Sequence, residues 1–187
     1  MQSEAAEGVL QYDDITTTLV IDLLMGFKRL KLSKIELPPL HGESTLIDIL
    51  KNIQTDSDTR LALGHMLSMD WTKEITVNMG KTEMGELKAH LMKYLKGLTA
   101  EGGFKLYPES RYSMEGFQGA KILATKSCSR GNNFDHLLGT ICEVNEDQEE
   151  ALVSRGVDTS CMLKSSRSNT VMVLIGLISF LNVLAFF

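Results

Sequence analysis

One stretch of the chain groups residue types that can bind a small ligand. The segment RYSMEGFQGAKILATK, which begins at Arg111, places an arginine, a tyrosine and a serine before a glycine-bearing turn and a strand. Arg111 and Tyr112 can supply a positive charge and an aromatic face. Small residues such as Gly119 let the backbone approach a ligand closely. The segment therefore predicts a binding loop.

General catalytic motifs are missing from the sequence, which has no glycine-rich phosphate loop, no nucleophile elbow and no HExxH helix. The carboxylates Glu101, Glu109 and Glu115 flank loops at spacings that arise by chance in most proteins. His136 stands beside leucines, where a hydrogen-bonded structural histidine is more common than a general base. None of these residues predicts a catalytic site.

The composition is that of a globular protein with a mildly acidic surface. The 187 residues are 43% hydrophobic and 23% charged, and the net charge is −5. This balance gives no reason to expect sequence-specific binding to nucleic acid. The cysteines Cys128, Cys142 and Cys161 form no CxxC pair, so we expect reduced thiols and no metal site. The N-terminus MQSEAAEGVL lacks the apolar segment of a secretory signal.

The order of elements predicts an α+β fold, because helical periodicity is followed by short strand-like runs. Residues 1–12 are polar and acidic, and we expect them to be disordered. The predicted helices run from Asp14 to Gly26, from a cap at Ser44, from a cap at Asp56 or Ser57 to Met69, and from Thr82 to the glycines 102 and 103. The predicted strands are FKLYP, GAKILATK and LLGTICEV.

The final seventeen residues, 171–187, read VMVLIGLISFLNVLAFF and contain no charge. Such a run is at the lower limit of length for a helix that spans a bilayer. The alternatives are a membrane anchor for a cytosolic binding module and a buried strand of a larger domain. Gly176, Ser179 and Asn182 weaken the anchor, so we expect a buried strand and not a membrane anchor.

Several segments resemble, in their order, the suppressor of variegation 4-20 histone-lysine methyltransferases, which join an N-terminal helical domain to a SET domain. The resemblance runs from about Asp13 to Asn182 and is most specific over residues 87–126. The segments that show it are DDITTTLVIDLLMGF, LALGHMLSMDW, GGFKLYPESRYS with GAKILATK, and FDHLLGTICEV. The resemblance implies a helical domain over residues 13–100 and a SET domain over residues 101–187.

The family resemblance also implies a cofactor site for S-adenosylmethionine, the methyl donor of these enzymes. In the family, the RYS segment and the glycine turn line the cofactor pocket. The residues expected to contact the cofactor here are Arg111, Tyr112, Ser113, Met114, Gly119 and Asn182.

The chain departs from the family pattern immediately after Asn182. The residues Val183, Leu184 and Ala185 stand where the family has a histidine, an aspartate and a zinc-ligand cysteine. We therefore expect the SET domain to be incomplete, the family's zinc site to be absent, and this chain alone to be inactive. No catalytic residue can be assigned from the sequence.

The function that the resemblance implies is methylation of a lysine in the histone H4 tail. The partners would be the H4 tail and the nucleosome, and the location would be the nucleus, on chromatin. The alternative is a tail-anchored membrane protein with a cytosolic binding module, attached through residues 171–187.

Overall fold

The computed structural model describes residues 4–41, 43–109, 119–127, 129–131, 133–154, 161–164 and 171–180. These residues form helices in the N-terminal part and two small antiparallel sheets after residue 103. The mixture of helix and strand confirms the predicted α+β class. The division at residue 100 and the incompleteness of the SET domain stay predictions.

The first helical stretch has three consecutive segments, α1 (Glu4–Thr16), a π-helical segment (Thr17–Asp22) and α2 (Leu23–Met25). It ends at Gly26, as predicted, where φ of +75° gives the left-handed geometry of a helix end. Its buried apolar residues are Ile15, Leu19, Val20 and Ile21.

The expectation of a disordered tail over residues 1–12 is wrong from Glu4 onward, because α1 begins there and not near Asp14. Tertiary contacts explain the earlier start. Leu10 and Tyr12 are buried, and Glu7 accepts a hydrogen bond from the backbone N–H of Lys34. Packing therefore orders a segment whose composition is polar.

Four further helices follow in the N-terminal part, and three of them lie where the sequence predicts them, with small shifts at the ends. Ser44 is the first residue of its helix and not the predicted cap. The cap of the second is Thr55, whose side chain accepts from the N–H of Asp58 in a capping box, and not Asp56 or Ser57. The sequence did not predict the short third helix. The helices are α3 (Ser44–Lys51), α4 (Asp56–Ser68), α5 (Asp70–Ile75) and α6 (Lys81–Leu98).

The long helix α6 is central to the helical part. Leu87, Leu91, Tyr94 and Leu95 lie on one face and are fully buried, as their spacing of three and four residues predicts. This face packs against α1 and α4. After a 3-10 turn (Ala100–Gly102), Gly103 adopts φ of +71° and the chain enters the first strand.

The strands form two separate antiparallel sheets. One pairs β1 (Phe104–Glu109) with β2 (Gly119–Ala124). The other has the order β3–β5–β4, formed by β3 (Gly139–Val144), β4 (Met162–Lys164) and β5 (Val171–Gly176). The helix α7 (Glu146–Ser154) follows β3 and contains most of the acidic run that begins at Asn145.

The buried apolar side chains form two clusters, and each cluster packs together a different set of helices and strands. The first cluster unites the helices with the two-stranded sheet through Phe104 and Ala120, and with Leu177 and Phe180 near the end of the described chain. The second lies on the three-stranded sheet and includes Leu10 of α1. The helical part and β1–β2 therefore share one core.

The apolar segment after residue 170 is a buried strand, which confirms the prediction as far as the segment is described. β5 lies in the centre of its sheet, and a 3-10 turn, Leu177–Phe180 (the 177–180 turn), follows it. Leu177 and Phe180 are buried. Within the described residues, no helix is long and apolar enough to cross a bilayer.

Candidate cofactor-binding region

Of the residues that the sequence predicts to contact the cofactor, Gly119 is the one within the described part of the chain. It is the first residue of β2, is partly buried and pairs with Glu109 at the end of β1. The remaining predicted cofactor residues lie outside the described residues; they are Arg111, Tyr112, Ser113, Met114 and Asn182.

The described elements on either side of these predicted residues come together. β2, which begins at Gly119, contacts the 177–180 turn, which ends two positions before Asn182. The N–H of Ile178 also donates to the carbonyl of Leu138, 3.1 Å away, just before β3. The segments that lead to both ends of the predicted pocket are therefore packed against each other.

Arg29 fixes the 177–180 turn from the side of the N-terminal helices; we call this contact the arginine joint. Its guanidinium lies 4.5 Å from the centre of the Phe180 ring, a cation–π distance. Its Nη2 donates to the hydroxyl of Ser179 at 2.7 Å. That hydroxyl in turn donates to the carbonyl of Gly176 at 2.7 Å. One side chain thus contacts the last two residues of the turn, Ser179 and Phe180.

Asp22, the last residue of the π-helical segment, positions the backbone around Arg29. Its carboxylate accepts from the Arg29 N–H at 2.9 Å and from Lys31 Nζ at 3.0 Å. Burial raises the pKa of Asp22, and the charge of Lys31 and the Arg29 N–H oppose that rise. The π-helical segment therefore ends in a carboxylate that orders residues 29–31.

A second contact joins the helices to Gly176, the last residue of β5, and we call it the aspartate joint. Tyr94 of α6 donates its hydroxyl to Asp13 of α1, and His90 Nε2 lies 3.3 Å from the same carboxylate oxygen. Asp13 and Tyr94 are both buried. Gly176 has φ of +78°, and a Cβ there would overlap the Tyr94 hydroxyl.

The aspartate joint lies in a low-dielectric environment. Burial, followed by the charge of Asp13, raises the pKa of Tyr94 well above that of a free tyrosine, so the phenol keeps its proton and remains a donor. Asp14, the next residue of α1, accepts from the N–H groups of Leu32 and Ser33 at 3.0 and 2.7 Å. Burial raises the pKa of Asp14 as well.

The contacts that form the two joints are not predicted from the sequence. The sequence predicts a helix that begins at Asp14, whereas Asp13 and Asp14 are both buried inside a helical stretch that begins at Glu4. The available signal is an acidic pair in a segment with no basic residue before Lys28. Arg29 gave no sequence signal, because its partner Ser179 is 150 positions distant.

The chain is similar to curated histone-lysine N-methyltransferases, although no family model matches it. It is 28% identical over 158 residues to Suv4-20 of Caenorhabditis elegans, covering 83% of this chain and 55% of that protein. It is 27% identical over 159 residues to Suv4-20 of Caenorhabditis briggsae, covering 83% of this chain and 48% of that protein.

A more distant relative extends over a larger part of the chain. The set9 histone-lysine N-methyltransferase of Aspergillus fumigatus is 23% identical over 175 residues, which cover 91% of this chain and 28% of that protein. The chain spans about half the length of the two Suv4-20 proteins that it matches. The comparisons confirm the predicted resemblance: over most of its length this chain is similar to the Suv4-20 and SET9 histone-lysine N-methyltransferases.

Proposed function

We propose that this chain contributes the helical and cofactor-binding parts of a histone-lysine N-methyltransferase that modifies the H4 tail on nuclear chromatin. The observation that supports the proposal most is the similarity to two Suv4-20 enzymes over 83% of the chain. The packing of β2 against the 177–180 turn is consistent with it, because the predicted cofactor residues follow or precede these elements.

S-adenosylmethionine would supply the methyl group. The residues proposed to hold it are Arg111, Tyr112 and Asn182, together with the backbone at Gly119. Gly119 fits this role, because a partly buried glycine at the start of a strand leaves room for a ligand beside the main chain. Arg29 and Asp22 do not contact the cofactor in this proposal; they position the turn before Asn182.

We expect the 187-residue chain to bind the cofactor weakly and to transfer no methyl group by itself. Val183 and Ala185 replace the histidine and the cysteine that the family resemblance implies at these positions. The loss of ligand-positioning groups reduces the rate of a reaction that depends on exact alignment of an amine with a methyl donor. The proposed absence of the zinc site rests on the same substitution at Ala185.

The test is a radiolabel assay on reconstituted nucleosomes with two proteins, the chain itself and a chimera. In the chimera, the C-terminal part of the C. elegans relative follows Asn182 from the matching position. We expect background transfer with the chain and clear transfer to H4 with the chimera, lost when the tail lysines of H4 are changed to arginine. A soluble chimera that transfers nothing, or that labels H3 instead, would contradict the proposal.

The described part of residues 171–187 does not support the tail-anchored alternative. Residues 171–176 form the central strand of a sheet and are mostly buried by other parts of the chain. A membrane anchor would instead be a helix whose side chains face lipid. The proposed location on chromatin follows from the relatives and not from any feature of the described residues.

A further inference from the structure

A cavity of about 360 Å³ lies in the helical part, between the end of the first helical stretch, the segment 28–41 and α3. Its volume falls at the lower end of the range of small-molecule sites, roughly 300–1,000 Å³. It is lined on one side by Thr18, Asp22, Leu23, Phe27, Lys28, Arg29 and Lys31, and on the other by Leu37, Pro38, Pro39, Leu40, His41 and Ile47.

Hydrogen bonds hold the walls of this cavity in place. The N–H of Gly26 donates to the carbonyl of Asp22 at 2.9 Å, which fixes the turn at the end of α2. On the opposite wall, the indole Nε1 of Trp71 donates to the carbonyl of Pro38 at 2.9 Å. Asp22 holds the backbone of Arg29. A cavity whose walls are fixed in this way binds a ligand with little loss of conformational entropy.

The interior of the cavity is apolar. Leu23, Phe27, Leu37, Leu40 and Ile47 line it and are each partly buried, so their side chains present apolar surface to the cavity. Transfer of an aliphatic or aromatic group from water to such a surface is favourable in proportion to the area covered. The walls therefore favour a ligand with an apolar body.

The residues that line the cavity include three cations, Lys28, Arg29 and Lys31, and the single carboxylate of Asp22. We call the two lysines, Lys28 and Lys31, the lysine rim. The Asp22 carboxylate accepts from Lys31 Nζ and from the Arg29 N–H. Lys28 is exposed. In a chain whose net charge is −5, this is a local positive region, and it favours an anionic group at the opening.

We propose that the cavity binds a small organic carboxylate, with the anionic group at the lysine rim and an apolar body between Phe27 and Ile47. The proposal is independent of methyl transfer. The chemistry fits both a fatty acid and a carboxylate attached to an aromatic side chain, as at a peptide C-terminus. S-adenosylmethionine is a different ligand, because its sulfonium and ammonium groups are cationic.

The test is isothermal titration of the whole chain with three probes: N-acetyl-L-phenylalanine, its neutral amide, and decanoate. We expect at least one of the two acids to bind at about 10 mM or below. If N-acetyl-L-phenylalanine binds, it should do so about fivefold more tightly than the amide, because the amide cannot use the rim charge. The acid that binds more tightly, called the tighter acid below, shows whether the cavity prefers an aliphatic or an aromatic group. Absence of binding by both acids, or equal binding of acid and amide, would overturn the proposal.

Matched charge reversals place the binding at the rim. Lys28→Glu changes an exposed rim side chain, and Lys51→Glu changes an exposed lysine of α3 that does not line the cavity. We expect Lys28→Glu to weaken binding of the tighter acid about fivefold and Lys51→Glu to change it less than about twofold. Equal weakening by both variants would show a general effect of charge and would overturn the assignment.

Methyl-labelled protein gives the location directly. On addition of the tighter acid, we expect the NMR signals of Ile47 and Leu40 to shift, while Leu152 of α7 and Val173 of β5 stay in place. Shifts confined to the methyl groups of the three-stranded sheet would place the ligand elsewhere and overturn the proposal.

Discussion

Two joints connect the helices to the last described strand and turn. They differ in burial, and we expect them to differ in how much a substitution lowers stability. The aspartate joint joins Asp13 and Tyr94 beside Gly176 and is closed to solvent. The arginine joint, through Arg29 and Ser179, lies at the edge of a cavity and has a cation as its central group. Substitutions in a buried joint should therefore lower the stability of the fold more than substitutions in a partly exposed joint, because a buried polar group that loses its partner cannot bind water instead.

The largest difference between the joints should appear when Gly176 is replaced by alanine. The added Cβ would overlap the Tyr94 hydroxyl, and φ of +78° is unfavourable for any residue with a Cβ. We expect Gly176→Ala to lower the free energy of unfolding by about 3 kcal/mol, measured by urea denaturation.

The matched control is Gly26→Ala, where φ is +75° and no atom lies within 4 Å of the added Cβ. This variant has the same backbone strain without the overlap, so we expect a loss of about 1 kcal/mol. Equal losses at the two glycines would show that contact with the aspartate joint contributes nothing.

Removal of the Tyr94 hydroxyl should have the next largest effect. Tyr94→Phe leaves the buried carboxylate of Asp13 with His90 at 3.3 Å as its described side-chain partner. We expect a loss of about 2 kcal/mol in the free energy of unfolding, as for hydrogen bonds to charged groups. Tyr12→Phe removes a 3.0 Å bond to the exposed Glu86, and should cost less than about 1 kcal/mol. A smaller loss at Tyr94 than at Tyr12 would contradict the comparison.

Alkaline pH should weaken the fold through the same tyrosine. Burial raises the pKa of Tyr94 well above its ordinary value, and burial with the nearby Glu86 raises the pKa of Tyr12 to about 12. The unfolded chain releases these protons near pH 10 while the folded chain retains them, so unfolding is favoured as pH rises above about 10. Denaturation from pH 8 to 11 should show this loss, and Tyr94→Phe should reduce its slope. An unchanged slope would contradict the assignment.

The arginine joint should give the smallest effect on stability. Arg29→Ala removes the 2.7 Å hydrogen bond to Ser179 and the stacking on Phe180. We expect a loss of about 1 kcal/mol, and a double-mutant cycle with Ser179→Ala should show coupling of at least about 0.5 kcal/mol. Additive losses in the cycle would mean that Arg29 acts through other contacts.

Helices and strands could be predicted from the sequence where the pattern of residues within the segment itself determines the structure. The buried face of α6 could be predicted because Leu87, Leu91 and Tyr94 recur at helical spacing. The start of α1 could not, because contacts of Leu10 and Glu7 with distant residues stabilise it. β4, with three residues, is too short to give a periodic signal.

The candidate site was less predictable than the fold. Gly119 is a predicted cofactor contact that rests on a motif, whereas the joints depend on pairs such as Tyr94 with Asp13 and Arg29 with Ser179, which are far apart in the chain. No local pattern specifies such a pair. An acidic pair inside a helix with no nearby basic residue indicates that hydrogen-bond donors from elsewhere in the chain contact it, but it does not identify those donors.

The most direct test of the proposed cofactor site is calorimetric titration of the chain with S-adenosylmethionine, for the unaltered protein and two tyrosine variants. Tyr112→Ala changes a proposed cofactor contact, and Tyr107→Ala changes a tyrosine of β1 that is 42% exposed. We expect weak binding by the unaltered chain, unchanged binding by Tyr107→Ala and no detectable heat with Tyr112→Ala. No heat from the folded, unaltered chain at millimolar cofactor, or equal binding by both variants, would contradict the proposed site.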